Sequence, residues 1–298
     1  MSQDNTYDVN RDLEYFRSLW RARGDSPVPH SPEIWDRRAE EWISDLGDAD
    51  AGKRESLRAD TMHDRVRATA AYLRGRGLLT ASETVVDIGC GPGLFVAEFA
   101  KTAKHATGMD YSARFMEFAA EHAASRGVTN ADFQTCDFLA LDVAEAKLER
   151  SYDLVFTSIT PAASGHGCLE KLIAMSRAYC YNASFVHTSD ELVERVSQDV
   201  FGVRRKPRLD GAGFYALLNL LWFMGYYPET SYYEDARDEI IPATYEAAER
   251  IASRCGAYER DDILRVQSYL EKHGATPRHS VYRYGGVLWD VRVRDTRN

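Results

Sequence analysis

The stretch "VVDIGCGPGLFVAEFA", residues 85–100, places β-compatible residues, an aspartate and three closely spaced glycines ahead of an apolar helical pattern. This order predicts a buried strand that ends in a tight loop and continues as a helix. Glycines allow the loop backbone to pass close to a ligand, and the N–H groups at the helix start point toward it. The stretch therefore indicates either a nucleotide-type ligand or only a tight turn.

The glycine spacing disfavours two common nucleotide sites. Gly89, Gly91 and Gly93 form GxGxG, whereas the dinucleotide fingerprint GxGxxG needs a glycine at the position of Leu94. A P-loop needs Gly-Lys followed by Ser or Thr, and the first lysine after the glycines is Lys101. A nicotinamide-dependent oxidoreductase is thus a distant alternative, and another nucleoside ligand is favoured.

Strand patterns alternate with helical patterns from this stretch onward. The strands are predicted at residues 84–89, 105–110, 131–137, 152–160 and 183–188, and a helix is predicted near 167–180. Such alternation predicts parallel pairing in a doubly wound α/β sheet. "SVYRYGGVLWDVRVR", residues 280–294, alternates like a terminal antiparallel strand.

The flanking segments predict additional helical parts. We expect an N-terminal helical extension over residues 1–80, followed by the ligand-binding domain over residues 81–298. Two helical insertions, at about 190–211 and 240–278, are expected to lie over the carboxyl edge of the sheet. The stretch 213–227 is apolar on nearly every face, which favours a core helix over a pocket wall.

Two acids stand at successive strand ends. Asp110 ends the second strand, where a carboxylate can accept both hydroxyls of a ribose. Asp137 ends the third strand, where a carboxylate can accept from the amino group of adenine. Each acid alone is often only a capping residue, but together on one sheet edge they indicate a nucleoside.

The ordered segments "VVDIGCGPG", "GMDYS", "CDF" and "YDLVFTS" resemble the motifs of class I S-adenosylmethionine-dependent methyltransferases. The resemblance covers roughly residues 82–190. It implies a seven-stranded Rossmann-like methyltransferase sheet with an antiparallel last strand. It also implies S-adenosylmethionine as the methyl donor and S-adenosylhomocysteine as the product.

The resemblance implies roles for the residues that carry it. Those expected around the methionine part are Asp87, Gly89, Cys90, Gly91, Gly93, Thr157 and Ser158. Those expected around the ribose and adenine are Asp110, Tyr111, Phe115, Asp137 and Phe138, although many relatives have an aliphatic residue or Met where Phe115 stands.

Upstream, "EIWDRRAEEW" (33–42) resembles a helix of small-molecule members, in which Trp35, Arg38 and Trp42 would close over the cofactor carboxylate. An amphipathic surface helix with a buried Trp pair is the alternative.

Charge and one motif bear on the methyl acceptor. The formal net charge of −9 disfavours a nucleic-acid binder, and "VRRKPR" (203–208) is the obvious basic segment, either a solvated loop or an anion contact. Base-methylating members carry Asn/Asp-Pro-Pro-aromatic after the fourth strand, where this chain has "SITPAASG" (158–165). A small-molecule acceptor is therefore favoured over nucleic acid or protein, and a non-catalytic S-adenosylmethionine-binding protein is a further alternative.

Methyl transfer needs a general base only if the nucleophile must lose a proton. His166, after the fourth strand, and His187, near the end of the fifth, are the candidate bases. A lone histidine is more often structural, and a thiolate or metalloid nucleophile needs no base.

The remaining features concern location. The sequence starts without a secretory signal and has no apolar run of 18 residues. Its five cysteines (90, 136, 168, 180 and 255) show neither CxxC pairs nor metal spacing. We therefore expect a cytoplasmic monomer or homodimer with no metal, no membrane contact and no nucleic-acid partner.

Overall fold

The computed structural model describes residues 9–21, 31–50, 57–163, 165, 167–204, 211–274 and 276–295. Within these residues the strands are β1 (Thr84–Ile88), β2 (His105–Asp110), β3 (Ala131–Thr135), β4 (Tyr152–Ser158), β5 (Ser176–Asp190), β6 (Glu229–Ile241) and β7 (Thr276–Asp290). The helices are α1 (Val9–Arg21), α2 (Pro32–Asp50), α3 (Leu57–Gly75), α4 (Leu94–Phe99), α5 (Ala113–Ser125), α6 (Cys168–Met175), α7 (Glu191–Phe201), α8 (Ala212–Phe223), α9 (Tyr245–Cys255) and α10 (Arg260–His273).

The strands form one sheet in the order β3-β2-β1-β4-β5-β7-β6, with β7 antiparallel. This confirms the doubly wound α/β sheet and its antiparallel last strand. In the parallel register, Ile88 pairs with both Met109 and Thr157, and Met109 pairs with Gln134. The carboxyl ends of β1 to β4 therefore meet at one edge, which brings together side chains that are distant in the sequence.

The fifth strand differs from its prediction. The helix predicted to 180 ends at Met175, and β5 begins at once, seven residues before the predicted start at 183. Cys180 and Tyr181 pair with Val155 and Phe156 of β4, and the Tyr181 ring stacks on Phe156 with 5.3 Å between centroids. Cross-strand pairing of buried aromatic side chains thus overrides the local helical pattern.

The chain divides into two compact units. The first comprises residues 1–184, 212–231 and 285–298, and the second comprises residues 185–211 and 232–284. In the first unit, the α8 side chains of Phe214, Leu217 and Leu221 are buried. The aromatic ring of Phe16 on α1 stacks on Phe223 of α8 at 5.7 Å.

The second unit has its own apolar core, formed by α7, α9 and α10 around Val196, Ile251 and Val266. It also contains a half-buried ion cluster, in which Arg278 pairs with Asp190 at 2.6 Å and with Glu239 at 2.7 Å. The two predicted insertions supply these helices. Their predicted place over the carboxyl edge of the sheet stays a prediction. No helix within the described residues is long and apolar enough to cross a membrane.

Candidate cofactor site

The three glycines of the loop after β1 all have positive φ angles, +71° at Gly89, +52° at Gly91 and +74° at Gly93. A Cβ atom on Gly89 would overlap with the Thr160 side chain, and one on Gly93 would lie 2.7 Å from the Phe133 ring. No described atom lies within 4 Å of a Cβ placed on Gly91. Gly89 and Gly93 therefore serve packing, and Gly91 presents bare backbone to open space, as a ligand cradle requires.

Asp110 is anchored to this loop. Its Oδ2 accepts from the Gly91 N–H at 2.9 Å, and its Oδ1 accepts from the Ser112 N–H at 3.0 Å. Burial raises the pKa of Asp110, although these backbone donors act against the rise. Because each carboxylate oxygen has two lone pairs, both oxygens keep the capacity to accept from ribose hydroxyls.

Asp87 is 2% exposed at the end of β1. Its Oδ2 has no hydrogen-bond partner among the described residues. Burial raises the pKa of Asp87 well above its ordinary value; Asp110 adds to this, and Arg65 opposes it. A buried carboxylate oxygen without a partner, on the strand that leads into the glycine loop, fits the ammonium group of a bound amino-acid moiety, or a bound water that contacts it.

Replacing Asp87 with Asn should give a stability difference that depends on pH. Because the folded-state pKa is raised, the aspartate favours the folded state most below about pH 4 and loses that contribution as the pH rises. We expect the Asp87→Asn variant to gain stability relative to the parent protein as the pH rises from 4 toward neutrality. Urea unfolding at a series of pH values measures this difference, and a difference that stays flat with pH contradicts the assignment.

Arg65 on α3 was not predicted from the sequence. Its Nη1 donates to the Ser158 Oγ at 2.6 Å, and its guanidinium lies 5.2 Å from the centre of the Phe95 ring. It also lowers the pKa of Asp87 electrostatically. A cation held at the end of β4 suits a ligand carboxylate. No sequence motif marks this position, because it lies in a helical segment well before β1.

The helix α2 contacts the start of α5. Asp36 accepts from the Ser112 hydroxyl at 2.5 Å and from the Arg114 N–H at 3.3 Å. The Trp42 ring packs edge-on against Phe115, with 6.5 Å between centroids. The predicted aromatic helix therefore lies beside the segment that follows Asp110. Asp36, which accepts both hydrogen bonds from the start of α5, was not predicted from the sequence.

Trp35 and Arg38 are the other two residues of α2 with a predicted cofactor contact. The Arg38 guanidinium lies 5.2 Å from the centre of the Trp35 ring. Their predicted contact with the cofactor carboxylate stays a prediction.

The residues predicted around adenine lie after β2 and β3. Tyr111 is partly exposed, and its pKa is raised by desolvation and by the nearby Asp137 and Glu33. Asp137 accepts from the N–H of Leu139 at 3.0 Å. Their contacts with adenine stay predictions.

Three predicted contact residues are buried in the core: Cys90, Phe115 and Phe138 are 8%, 5% and 3% exposed. Burial also raises the pKa of the Cys90 thiol well above its ordinary value. Their side chains pack, so any contact they make with a ligand is through backbone or a ring edge.

The end of β4 offers one accessible hydroxyl. Thr157 is fully buried, and its Oγ1 accepts from the Asn182 amide at 2.6 Å. Ser158 is half-buried, so it, rather than Thr157, presents a hydroxyl at this edge.

The two candidate bases are placed differently. His187 is exposed on β5, in the second unit, four residues past Ala183, which pairs with Ser158. His166 lies outside the described residues. No group of three or more His, Cys, Asp or Glu side chains in the described part of the chain is arranged to hold a metal ion.

The sheet order and the glycine loop after β1 define a doubly wound α/β domain. Residues 79–201 match the family model described as "Methyltransferase domain". This segment therefore carries a methyltransferase domain, and the match covers less than half of the chain.

Solved structures show the same fold. The YcgJ protein of Bacillus subtilis is 13% identical, with a TM-score of 0.50 over 77% of this chain and 99% of that one. The BH2331 protein of Bacillus halodurans is 12% identical, with a TM-score of 0.50 over 75% of this chain and 99% of that one. A Synechocystis magnesium protoporphyrin IX methyltransferase with bound SAH is 14% identical and covers 94% of this chain and 99% of its own. Its TM-score is 0.43.

Proposed function

We propose that the chain transfers the methyl group of S-adenosylmethionine to a small-molecule acceptor by in-line displacement. The observation that carries this proposal is the acidic rim of the cradle. Glu33 and Asp137 both act to raise the pKa of Tyr111, and Asp36 of α2 accepts from the hydroxyl of Ser112 at the start of α5. A negative rim disfavours the approach of a nucleic-acid phosphate backbone. The formal net charge of −9 has the same effect at longer range.

Different residues of the site would bind the methionine part and the ribose of the cofactor. The Gly91 backbone, Asp87 and Arg65 would hold the methionine part, and Asp110 would hold the ribose. The bound cofactor supplies a methyl group already activated by a positive sulfur. The protein then has to orient the acceptor in line with that methyl group and to exclude water. Ser158 would contact the reacting end; the position of its hydroxyl at the carboxyl edge, 2.6 Å from the Arg65 Nη1, supports this role.

A general base is required only for an acceptor that must lose a proton. His166 and His187 remain the candidates for that role. A thiolate acceptor would proceed by alignment alone.

Label transfer tests the acceptor class. The purified chain is incubated with methyl-labelled S-adenosylmethionine and, separately, with a dialysable small-molecule extract, a protein extract and total nucleic acid. We expect label in the dialysable extract only, and about tenfold less of it with the Asp110→Ala variant at S-adenosylmethionine concentrations below the parent dissociation constant. Label in protein or nucleic acid contradicts the proposal. Binding of S-adenosylhomocysteine without transfer in any extract contradicts it as well, and favours a non-catalytic binding protein.

A further inference from the structure

The strand β6 occupies the last position of the sheet, next to β7. Among the described residues, no strand pairs with its other side. The strand has 13 residues, "ETSYYEDARDEII", and contains neither proline nor lysine, two residues that commonly prevent an edge strand from pairing. Most of it, residues 232–241, belongs to the second unit. A long edge of this kind is a template for a further strand.

The contacts of β6 with β7 show which of its side chains share a face. Glu234 pairs with Arg283 and Asp238 pairs with His279, each at 2.8 Å and in one antiparallel register. Because side chains alternate along a strand, the even-numbered residues of β6 lie on one face and the odd-numbered residues on the other. The even-numbered residues from 232 to 240 are all exposed. The odd-numbered ones are partly buried, and Ile241 joins the apolar core of the unit, so one face is open and the other is covered.

The covered face carries two opposite charges. Asp235 and Arg237 form an ion pair at 3.0 Å, and their side chains are 14% and 18% exposed. Charges on the inward face of an edge strand usually oppose pairing with another strand. Here the two charges have opposite signs at neighbouring positions of the same face, so they oppose some registers and favour another.

A second copy of β6 selects the favourable register. When two copies pair antiparallel around a two-fold axis perpendicular to the sheet, each residue lies opposite a residue of the same face. An axis at Asp235 or at Arg237 places like charges directly opposite each other, which is destabilising. An axis at Ala236 places Asp235 of each copy opposite Arg237 of the other. The two-fold axis repeats this attractive pair, so the strand is complementary to itself in charge.

The same register suits the open face. It places Tyr232 opposite Ile240 of the second copy, and these side chains are 63% and 64% exposed, so both lose apolar surface to water on pairing. Glu234 lies opposite Asp238 of the second copy, which are like charges. Each of these two acids already pairs with a basic side chain of β7, which reduces their repulsion.

We propose that the outer edge of β6 binds β6 of a second copy of this chain, antiparallel and centred on Ala236, so that the sheet continues from one copy into the other. The contact is the same patch on both copies, so it closes a dimer and leaves neither β6 edge open. A strand from an unrelated protein would not require the self-complementary charge order of residues 235 and 237. The proposal concerns the second unit and does not depend on the methyl donor or acceptor.

Charge reversal combined with sedimentation equilibrium on the full chain tests the pairing. We expect a reversible monomer–dimer equilibrium for the parent protein. Arg237→Asp and Asp235→Arg should each weaken dimerisation about tenfold or more, because each change makes two opposed pairs repulsive. An equimolar mixture of the two variants should associate again, as should the double variant that carries both changes. Arg67→Asp, in an exposed ion pair with Asp64 on α3, is the control and should leave the dimer unchanged.

Cross-linking tests the register. Residues directly opposite each other in an antiparallel pair have Cα atoms about 4.5–5.5 Å apart, which is within the range of about 4.4–6.8 Å that a disulfide needs. The exposed Ala236 lies opposite itself, so Ala236→Cys should give a disulfide-linked dimer under mild oxidation. Ile240→Cys lies opposite position 232 and should stay unlinked. The parent protein, with its five cysteines, gives the background.

Far-UV circular dichroism verifies that each variant is folded. The proposal is overturned if the parent protein sediments as a monomer up to submillimolar concentration, since the edge then has no second copy as its partner. A dimer that persists in both charge-reversal variants, or an Ala236→Cys variant that links no more than the parent protein, overturns it as well. None of these results bears on the methyltransferase proposal, because label transfer measures that activity separately.

Discussion

The Asp110→Ala variant is expected to bind S-adenosylhomocysteine at least tenfold more weakly than the parent protein. The carboxylate holds the loop through the N–H groups of Gly91 and Ser112, at 2.9 and 3.0 Å. It also has lone pairs left for the two ribose hydroxyls. Each charge-assisted hydrogen bond is worth about 1.5–3 kcal/mol, so the loss of even one ribose contact gives a factor of ten or more. Titration calorimetry measures the dissociation constant.

Asp142 provides a matched control for this variant. Its carboxylate also accepts from two backbone N–H groups, those of Ala144 at 2.9 Å and Glu145 at 3.0 Å, but it has no contact with the cradle. Asp142→Ala should lose local stability and keep its affinity for S-adenosylhomocysteine. An equal affinity in both variants would rule out the ribose role of Asp110.

The Gly91→Ala variant is expected to lose at least tenfold in affinity for S-adenosylhomocysteine while it remains folded. The added methyl group meets no described atom within 4 Å, so it projects into the space that the ligand would occupy. The positive φ of +52° costs about 1–2 kcal/mol of stability in any L-residue. Binding and urea unfolding are measured on the same preparation.

The Gly77→Ala variant separates the loss of affinity from the loss of stability. It has a φ of +75° and, like Gly91, no described atom within 4 Å of an added Cβ, but it lies in the turn after α3. Gly77→Ala should show a similar loss of stability with unchanged affinity. If Gly91→Ala retains the parent affinity, the bare backbone is not the ligand cradle.

Much of the site was predictable from local patterns. The strand, glycine loop and helix over residues 84–99 are consecutive in the chain, and Asp110 is marked by the strand that precedes it. Ser112 is the N-cap of α5, and its hydroxyl accepts from the Phe115 N–H at 3.2 Å. These features depend on neighbours within a few residues, so the sequence displays them directly.

Other features needed contacts between distant segments. The start of β5 at Ser176 is set by pairing with β4, against the local helical pattern. Arg65 reaches Ser158 and Asp36 reaches Ser112 across the fold, and no motif announces either contact. Thr157 and Ser158 are adjacent and chemically alike, yet only the tertiary environment buries the first and leaves the second accessible.

The sequence by itself determined the sheet class and the three glycines of the loop, because strand alternation and glycine spacing are local properties of the chain. The methyl donor was implied by the resemblance of its ordered motifs to a known family. Only the tertiary structure decided that Gly91 is the bare glycine, since Thr160 and Phe133 crowd the other two from distant segments. The physical reason is that open space and unpaired charge result from how separate elements pack, and no single segment encodes that packing.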